Sequence, residues 1–193
     1  MICNAKDLSK SQKERVAERV SALSQEPNSS LLEKSREDVL SIIDSGIVIT
    51  CVENNKPLFI VAFEPTGDDR YTEVGMTCNI DPELIRGKHI FPLIVDFYRR
   101  VNGNGKKVLY LTTTDIRMIR VTEKSGFKKV NNLHKLFPPE VLRFCCSPCL
   151  PEKTGIKIHG QQIEYCPRFN GCFLPKSGAF RTRIPCTVFA QII

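Results

Sequence analysis

The chain has 193 residues, enough for one sizeable domain with an appendage or for two small domains at most. Hydrophobic residues make up 41% and charged residues 25%, so we expect a packed globular core. No apolar run approaches the roughly 20 residues that span a bilayer, and the N-terminus has no signal-peptide stretch. These features exclude a membrane partner and predict a soluble cytoplasmic protein. The formal charge of +7 favours acidic partners such as phosphate groups or nucleic acid, or indicates a solvated basic surface.

Two amphipathic helices are predicted before the first strand. The first covers residues 9 to 24, with Ser11 and Glu14 placed as a capping box. In the second, Ser30 and Glu33 offer another capping box ahead of a second apolar face. The break between the helices follows from a proline and an asparagine.

Three strands joined by short turns follow, and they predict an antiparallel meander. They cover residues 47 to 52, 57 to 63 and 72 to 80. Asn54 and Asn55 suit the first turn, because asparagine tolerates a left-handed backbone. Asp81-Pro82 ends the third strand, since proline has no amide hydrogen and restricts the residue before it.

The next apolar pattern has the spacing of a helix, with one apolar face made of Ile90, Leu93, Ile94, Phe97, Tyr98 and Val101. Residues 107 to 113 then hold a short continuous apolar run, Val108 to Leu111, which predicts a buried strand. This strand should be parallel to its neighbour because a helix connects the two. Asp115 can cap the following helix and Gly126 can end it. A further strand is expected over residues 133 to 137.

We therefore predict a mixed α/β fold, with a central, mostly antiparallel sheet flanked by helices over residues 1–137. Residues 138–193 form an extension of a different kind, because they hold six of the nine cysteines and seven of the twelve prolines. Loops and small hairpins are expected there, rather than a second large core.

Three local motifs in this order resemble the core of the GNAT acyltransferases, over about residues 9 to 137. The first is the strand-ending turn Ile80-Asp81-Pro82-Glu83, and the second is the loop Arg86-Gly87-Lys88-His89 that opens a helix. The third is Glu123-Lys124-Ser125-Gly126-Phe127 at the end of a later helix. The resemblance implies the GNAT fold and the use of acetyl-CoA or a related acyl-CoA to acylate an amine.

The resemblance also implies a set of cofactor-binding residues. In the family, the amides of the loop bind the CoA pyrophosphate at the positive end of the helix. Here that loop supplies Arg86, Gly87, Lys88 and His89, with His89 and Phe91 standing where the family has glycines. Arg86, Lys88 and His89 can equally be read as a solvated cluster at the start of a helix. The main chain that binds the pantetheine arm and polarises the thioester corresponds to Cys78, Asn79 and Ile80.

Two residues are candidates for catalysis. Glu73 stands where several family members carry a carboxylate that acts as general base for the amine, and a partly buried cleft would raise its pKa. The alternative is an exposed glutamate on the polar side of the strand. Thr122 occupies the position of the tyrosine that protonates the leaving thiolate in many members. A threonine hydroxyl is a much weaker acid, and acyl transfer to an amine can proceed without a protein acid because a CoA thiolate is a good leaving group.

The C-terminal cysteines form a candidate zinc site. Cys146 and Cys149 have the C-x2-C spacing that lets two sulfurs bind one metal, and Cys166 and Cys172 could complete a tetrahedral set. Small buried thiols are the alternative. A bound metal would make folding of the extension depend on it.

These residues lead to three functional hypotheses. The first is a GNAT-like acyltransferase with an altered CoA loop, acting on an unidentified amine. The second is a non-catalytic GNAT-like module that kept the fold for assembly, as in some phage internal virion proteins. The third is a nucleic-acid-binding protein with a zinc-stabilised tail, for which binding should weaken with added salt.

Overall fold

A computed structural model describes residues 1–26, 31, 34–103, 106–130, 136–138, 141, 157–158, 161–162 and 183–193 of the chain. These residues form a mixed α/β fold in which a seven-stranded sheet lies between two groups of helices. The fold class expected from the sequence is therefore confirmed. Within the described ranges, no helix is both long enough and apolar enough to cross a membrane.

The helices of the described residues are α1 (Lys10–Gln25), α2 (Arg36–Ser45), α3 (Pro82–Ile85), α4 (Ile90–Asn102) and α5 (Ile116–Lys124). Both N-terminal helices begin with a capping box, but not with the predicted residues. Ser9 and Gln12 cap α1 in place of Ser11 and Glu14. Ser35 and Asp38 cap α2, whereas the predicted Ser30 and Glu33 lie outside the described residues. Each observed pair has the predicted spacing, a serine followed three residues later by a side chain with an acceptor oxygen.

The strands of the main sheet are β1 (Ile2–Asn4), β2 (Ile47–Glu53), β3 (Lys56–Pro65), β4 (Tyr71–Asn79), β5 (Val108–Asp115), β6 (Lys128–Lys129) and β9 (Arg183–Ile192). Two further short strands, β7 (Lys157–Ile158) and β8 (Gln161–Gln162), pair with each other in a small hairpin. The spatial order in the main sheet is β1-β2-β3-β4-β5-β9-β6. The antiparallel meander β2-β3-β4 and the parallel β4-β5 pair are confirmed. Asn54 and Asn55 both have the left-handed backbone expected at the first turn.

Helix α4 packs on the sheet through a face that only partly coincides with the predicted one. Ile90, Ile94 and Tyr98 are buried as expected. Leu93 and Val101 are instead 54% and 66% exposed, while Phe91 and Val95, which were not assigned to the apolar face, are buried. Apolar residues lie on more than one side of this helix, and the fit against the sheet selects which side is buried.

The C-terminal segment contributes a long strand to the main sheet. β9 pairs antiparallel with β5 on one side and with β6 on the other. The sequence predicted only loops and small hairpins in this segment, and it placed a strand over residues 133 to 137. Leu136 and Phe137 are not in a strand, whereas β6 begins directly after Phe127. Residues 133 to 135 lie outside the described residues.

Apolar side chains pack on both faces of the sheet. On one face, α1 and α2 cover a cluster that includes Val16, Ile43 and Ile60. On the other face, α4 covers a cluster in which Phe63 of β3 and Tyr98 of α4 stack with ring centroids 3.9 Å apart. The two clusters fix α1, α2 and α4 on opposite faces of β3 and β4.

Candidate functional site

Strands β4 and β5 pair over only three residues and then separate. The paired residues are Tyr71, Thr72 and Glu73 of β4 with Val108, Leu109 and Tyr110 of β5. Beyond this point β4 pairs only with β3, and β5 pairs only with β9, among the described residues. We call the gap between the two parallel strands beyond Glu73 and Tyr110 the fork. Main-chain groups of β4 that face the fork have no strand partner there, so they are available to a ligand.

A β-bulge in β4 begins immediately after the fork opens. Val61 of β3 opposes Thr77, but Phe63 opposes Val74, so two residues of β4 stand against one of β3. The extra residue reverses the side-chain alternation: Val74 lies in the core under α4, whereas Met76 lies in the core under α1 and α2. Bulges bend a strand and increase its twist, which accounts for β4 turning away from β5.

Glu73 lies at the closed end of the fork. The hydroxyl of Tyr110 donates to its Oε2 atom across 3.4 Å, and Thr112 of β5 also hydrogen-bonds to the carboxylate. Burial raises the pKa of Glu73 to about 7, with a further contribution from the negative charge of Glu64, and the two hydrogen bonds oppose the rise. A carboxylate with this pKa can accept a proton from an ammonium group near neutral pH.

The predicted phosphate loop lies between α3 and α4, with Arg86, Lys88 and His89 exposed. Gly87 has a φ of +76°, which favours glycine, and a Cβ built there would meet no atom within 4 Å. Lys88 forms an ion pair with Glu53 of β2. His89 is the N-cap of α4 without a side-chain capping bond. The loop is thus open and basic, and the first amides of α4 have no acceptor within the helix.

Phe91 does not occupy this loop. Its side chain is 3% exposed and packs against Phe59 and Phe127, with ring centroids 6.4 Å and 6.5 Å away. The family's glycine position is therefore filled by a residue whose bulk lies in the core. Pro92, the next residue, has no amide hydrogen and stands in the first turn of the helix, where that hydrogen has no intrahelical acceptor.

The predicted pantetheine-binding segment lies at the open end of β4. Cys78 and Asn79 pair with Ile60 and Phe59 of β3 on the side away from the fork. The Ile80 amide donates to the Leu58 carbonyl across 2.8 Å, so this amide is not available to a ligand. Burial raises the pKa of the Cys78 thiol to about 12, so this thiol stays protonated and is a poor nucleophile.

Thr122 is completely buried in α5, and its hydroxyl has no hydrogen-bond partner among the described residues. Its carbonyl accepts from the amides of Ser125 and Phe127 at the end of the helix. The role of Thr122 as an acid stays a prediction. Of the other core hydroxyls, Tyr110 binds Glu73, and burial raises the pKa of Tyr98.

Replacing Thr122 with valine should show whether its buried hydroxyl has a hydrogen-bond partner in the folded protein. Valine has nearly the same shape and lacks the buried, unbonded hydroxyl, so we expect the free energy of unfolding to rise by about 1 kcal/mol. Urea denaturation measures this change, and Thr122→Ser is the control that keeps the hydroxyl. A stability loss above about 1 kcal/mol in Thr122→Val would show that the hydroxyl has a partner in the folded protein.

The predicted zinc ligands Cys146, Cys149, Cys166 and Cys172 lie outside the described residues, and the zinc site stays a prediction. Among the described residues, no group of three or more histidine, cysteine, aspartate or glutamate side chains could hold a metal ion. Cys3, Cys51 and Cys78 are free thiols.

The sequence alone does not indicate that Glu64 and Tyr110 are neighbours of Glu73. Both are direct cross-strand partners of Glu73, one on the antiparallel and one on the parallel side. Glu64 stands beside a proline near the end of a strand, a position that by itself indicates a turn. Only the register of the sheet brings the three residues together.

The chain was compared with known proteins by sequence and by structure. No family model matches it, and no curated protein matches it by sequence. An N-acetyltransferase from Staphylococcus aureus Mu50 is similar in structure, with a TM-score of 0.55, 14% identity, and coverage of 100% of this chain and 96% of the other. Aminoglycoside 6'-acetyltransferase type Ii gives a TM-score of 0.58, 14% identity, and coverage of 100% and 96%.

A third similar structure is N-acetylglutamate synthase from Neisseria gonorrhoeae, complexed with coenzyme A and N-acetyl-glutamate. The TM-score is 0.61 at 11% identity, and the match covers 100% of this chain and 34% of the other. The chain therefore has the fold of the GNAT N-acetyltransferases, and structures with this fold include one with bound coenzyme A. Identities this low show the fold alone.

Proposed function

We propose that the protein is a GNAT-like N-acyltransferase that transfers an acetyl or related acyl group from acyl-CoA to an amine. The observation that carries the proposal is the fork, where two parallel strands separate and leave main-chain groups free directly beside Glu73. In open sheets, ligands bind outside the carboxyl ends of parallel strands. The similarity in fold to N-acetyltransferases supports the same function.

Glu73 acts as general base in this reaction. Acyl-CoA supplies the acyl group as an activated thioester. The Glu73 carboxylate accepts one proton from the acceptor ammonium, which frees the nitrogen lone pair to attack the thioester carbonyl carbon. The C–N bond forms as the C–S bond breaks, and the second proton of the nitrogen goes to the departing sulfur. Tyr110 orients the carboxylate through its hydroxyl. Thr122 remains the candidate side chain for passing this second proton to the sulfur.

The loop from Arg86 to His89 holds the CoA phosphates. Three features fit this group: two exposed cations, a glycine with open space above it and the free first-turn amides of α4. The buried position of Phe91 removes the crowding that a phenylalanine in the loop would have caused. Lys88 must leave Glu53 to bind a phosphate, and this exchange of partners reduces its net contribution.

Replacing Arg86 or Lys88 with alanine is expected to weaken acetyl-CoA binding about three- to tenfold each, because each change removes one charge-assisted hydrogen bond. Calorimetric titration of the reduced protein with acetyl-CoA and with CoA measures the dissociation constants. Glu53→Gln is the matched control: it frees Lys88, so binding should be unchanged or tighter. Binding that is indifferent to both cations would contradict the role of the loop.

The proposal itself is tested by the same titration followed by an amine screen that detects the released CoA thiol. Saturable binding and thiol release that depends on an added amine are the expected results. No heat and no thermal stabilisation at millimolar acetyl-CoA would overturn the proposal. Nothing in the described part of the chain favours a non-catalytic module or a nucleic-acid-binding protein over the acyltransferase.

A further inference from the structure

Glu64 is a second carboxylate on the face of the sheet that holds Glu73. The two residues are direct cross-strand partners of β3 and β4, and such partners project from the same face with their Cβ atoms about 5 Å apart. On β3, Glu64 alternates with Ile60 and Ala62, which pack in the core under α1 and α2. Both carboxylates therefore lie on the α1 and α2 side of the sheet, and both are partly buried.

Gly75 provides the space in which the Glu64 carboxylate lies. A Cβ atom built on Gly75 would be 2.4 Å from Oε1 of Glu64 and 3.0 Å from its Cδ atom. Gly75 does not have the positive φ seen at Gly87 and Gly126, so its backbone conformation does not require glycine. The Glu64 carboxylate thus lies over Gly75 at the start of the bulge, on the side of Glu73 where the fork opens.

We propose that Glu64 is a positioning residue for Glu73: from its place over Gly75, its negative charge makes the Glu73 carboxylate a better proton acceptor for an ammonium group. This inference rests on the proposed function, in which Glu73 accepts the proton of the acceptor ammonium. A nearby negative charge favours the protonated form of a carboxyl group and makes its ionised form a stronger base. A glutamate with an ordinary pKa would be too weak a base for an ammonium group.

Four groups from three parts of the chain act on Glu73. Glu64 faces it from β3 and raises its pKa, in addition to burial, which is the larger cause. Tyr110 and Thr112 of β5 hydrogen-bond to the carboxylate and lower the pKa, as does the more distant charge of Lys34, just before α2. Glu64 is the only one of these four groups that raises the pKa of Glu73.

The test is a carboxyl carbon-13 NMR titration of full-length protein labelled at its glutamate carboxyl groups, with the Glu73 signal assigned from Glu73→Gln. Glu64→Gln removes the charge and should move the Glu73 titration down by roughly one pH unit. Gly75→Ala should move it in the same direction, because the new methyl group displaces the Glu64 carboxylate toward solvent. Gly67→Ala is the matched control, since a Cβ there meets nothing within 4 Å. The acid limb of the kcat/KM profile should follow the NMR shift.

The outcomes test the role of Glu64 and the proposed function separately. A Glu73 titration that is unchanged in Glu64→Gln overturns the role of Glu64. A shift in Glu64→Gln without one in Gly75→Ala overturns the dependence on its place over Gly75. If the titration shifts as expected but no amine is acylated, the proposed function fails while the effect of Glu64 on Glu73 stands. If amines are acylated but the Glu73 titration does not shift in Glu64→Gln, the role of Glu64 fails while the proposed function stands.

Discussion

Replacing Glu73 with glutamine is expected to lower kcat/KM for acyl transfer about 10²- to 10³-fold, the usual effect of losing a general base. Glutamine keeps the size of the side chain and can still accept from the Tyr110 hydroxyl, but it cannot take a proton. The wild-type rate should rise with pH through about 7, because only the ionised carboxylate is a base. The variant should lack this rise. Steady-state assays of thiol release across pH 5 to 9 measure both effects.

The same substitution should make the protein more stable at neutral pH. The pKa of Glu73 is raised in the folded state, so the folded protein binds more protons than the unfolded chain between about pH 4.5 and 7. The free energy of unfolding therefore falls as pH rises through this window, and the glutamine variant should not show this fall. Glu18→Gln, at an exposed glutamate of α1, is the control and should change neither property. A Glu73→Gln variant with wild-type activity would rule out the general base.

Replacing Phe63 with alanine is expected to lower the free energy of unfolding by about 3–5 kcal/mol. The ring is 1% exposed and stacks on Tyr98 with an interplanar angle of 7°, so its removal leaves a cavity between β3 and α4. Urea denaturation followed by circular dichroism measures the loss. Phe63→Leu should lose less, because leucine fills part of the space.

Leu93→Ala provides the contrast on the same helix. Leu93 is 54% exposed, so its truncation should change stability by less than about 0.5 kcal/mol. If Leu93→Ala proved as damaging as Phe63→Ala, the face of α4 that packs on the sheet would be the one predicted from the sequence pattern. The pair of variants therefore tests the packing of α4 directly.

Local signals in the sequence were sufficient where a few neighbouring residues determine the structure. Asp81-Pro82 ends a strand because of proline geometry, and Asn54-Asn55 forms a tight turn because both residues accept a left-handed backbone. Asp115 caps α5 as predicted, through a bond to the amide of Arg117. None of these features depends on distant parts of the chain.

The sequence-based predictions failed where contacts between distant parts of the chain determine which of several local arrangements forms. Ser9 and Ser11 are both suitable N-caps, and the side chain of Gln12 is further fixed by a bond to the Asn55 carbonyl, far along the chain. The buried face of α4 differs in part from the predicted one for the same reason, because the sheet determines which apolar residues of that helix face inward. Strand β9 had no local signal that could assign it to the main sheet, since its partner β5 lies about 80 residues earlier.

The candidate site divides in the same way. Glu73 and the residues from Arg86 to His89 could be placed from short motifs, because each lies within or next to an element with a clear local pattern. Three other features depend on the sheet register, which a single sequence does not encode locally. They are the separation of β4 from β5, the bulge after Val74 and the approach of Glu64 to Glu73.

The position of β9 has a consequence for the growing chain on the ribosome. β5 and β6 are both made before β9, and each pairs with β9, so the apolar edge of β5 stays unpaired until β9 emerges. Unpaired apolar edges recruit other chains. A polypeptide released before residue 183 would therefore expose the edge of β5 formed by Val108 to Leu111 and should depend on chaperones or aggregate, even though α1 to α5 and the first five strands are complete.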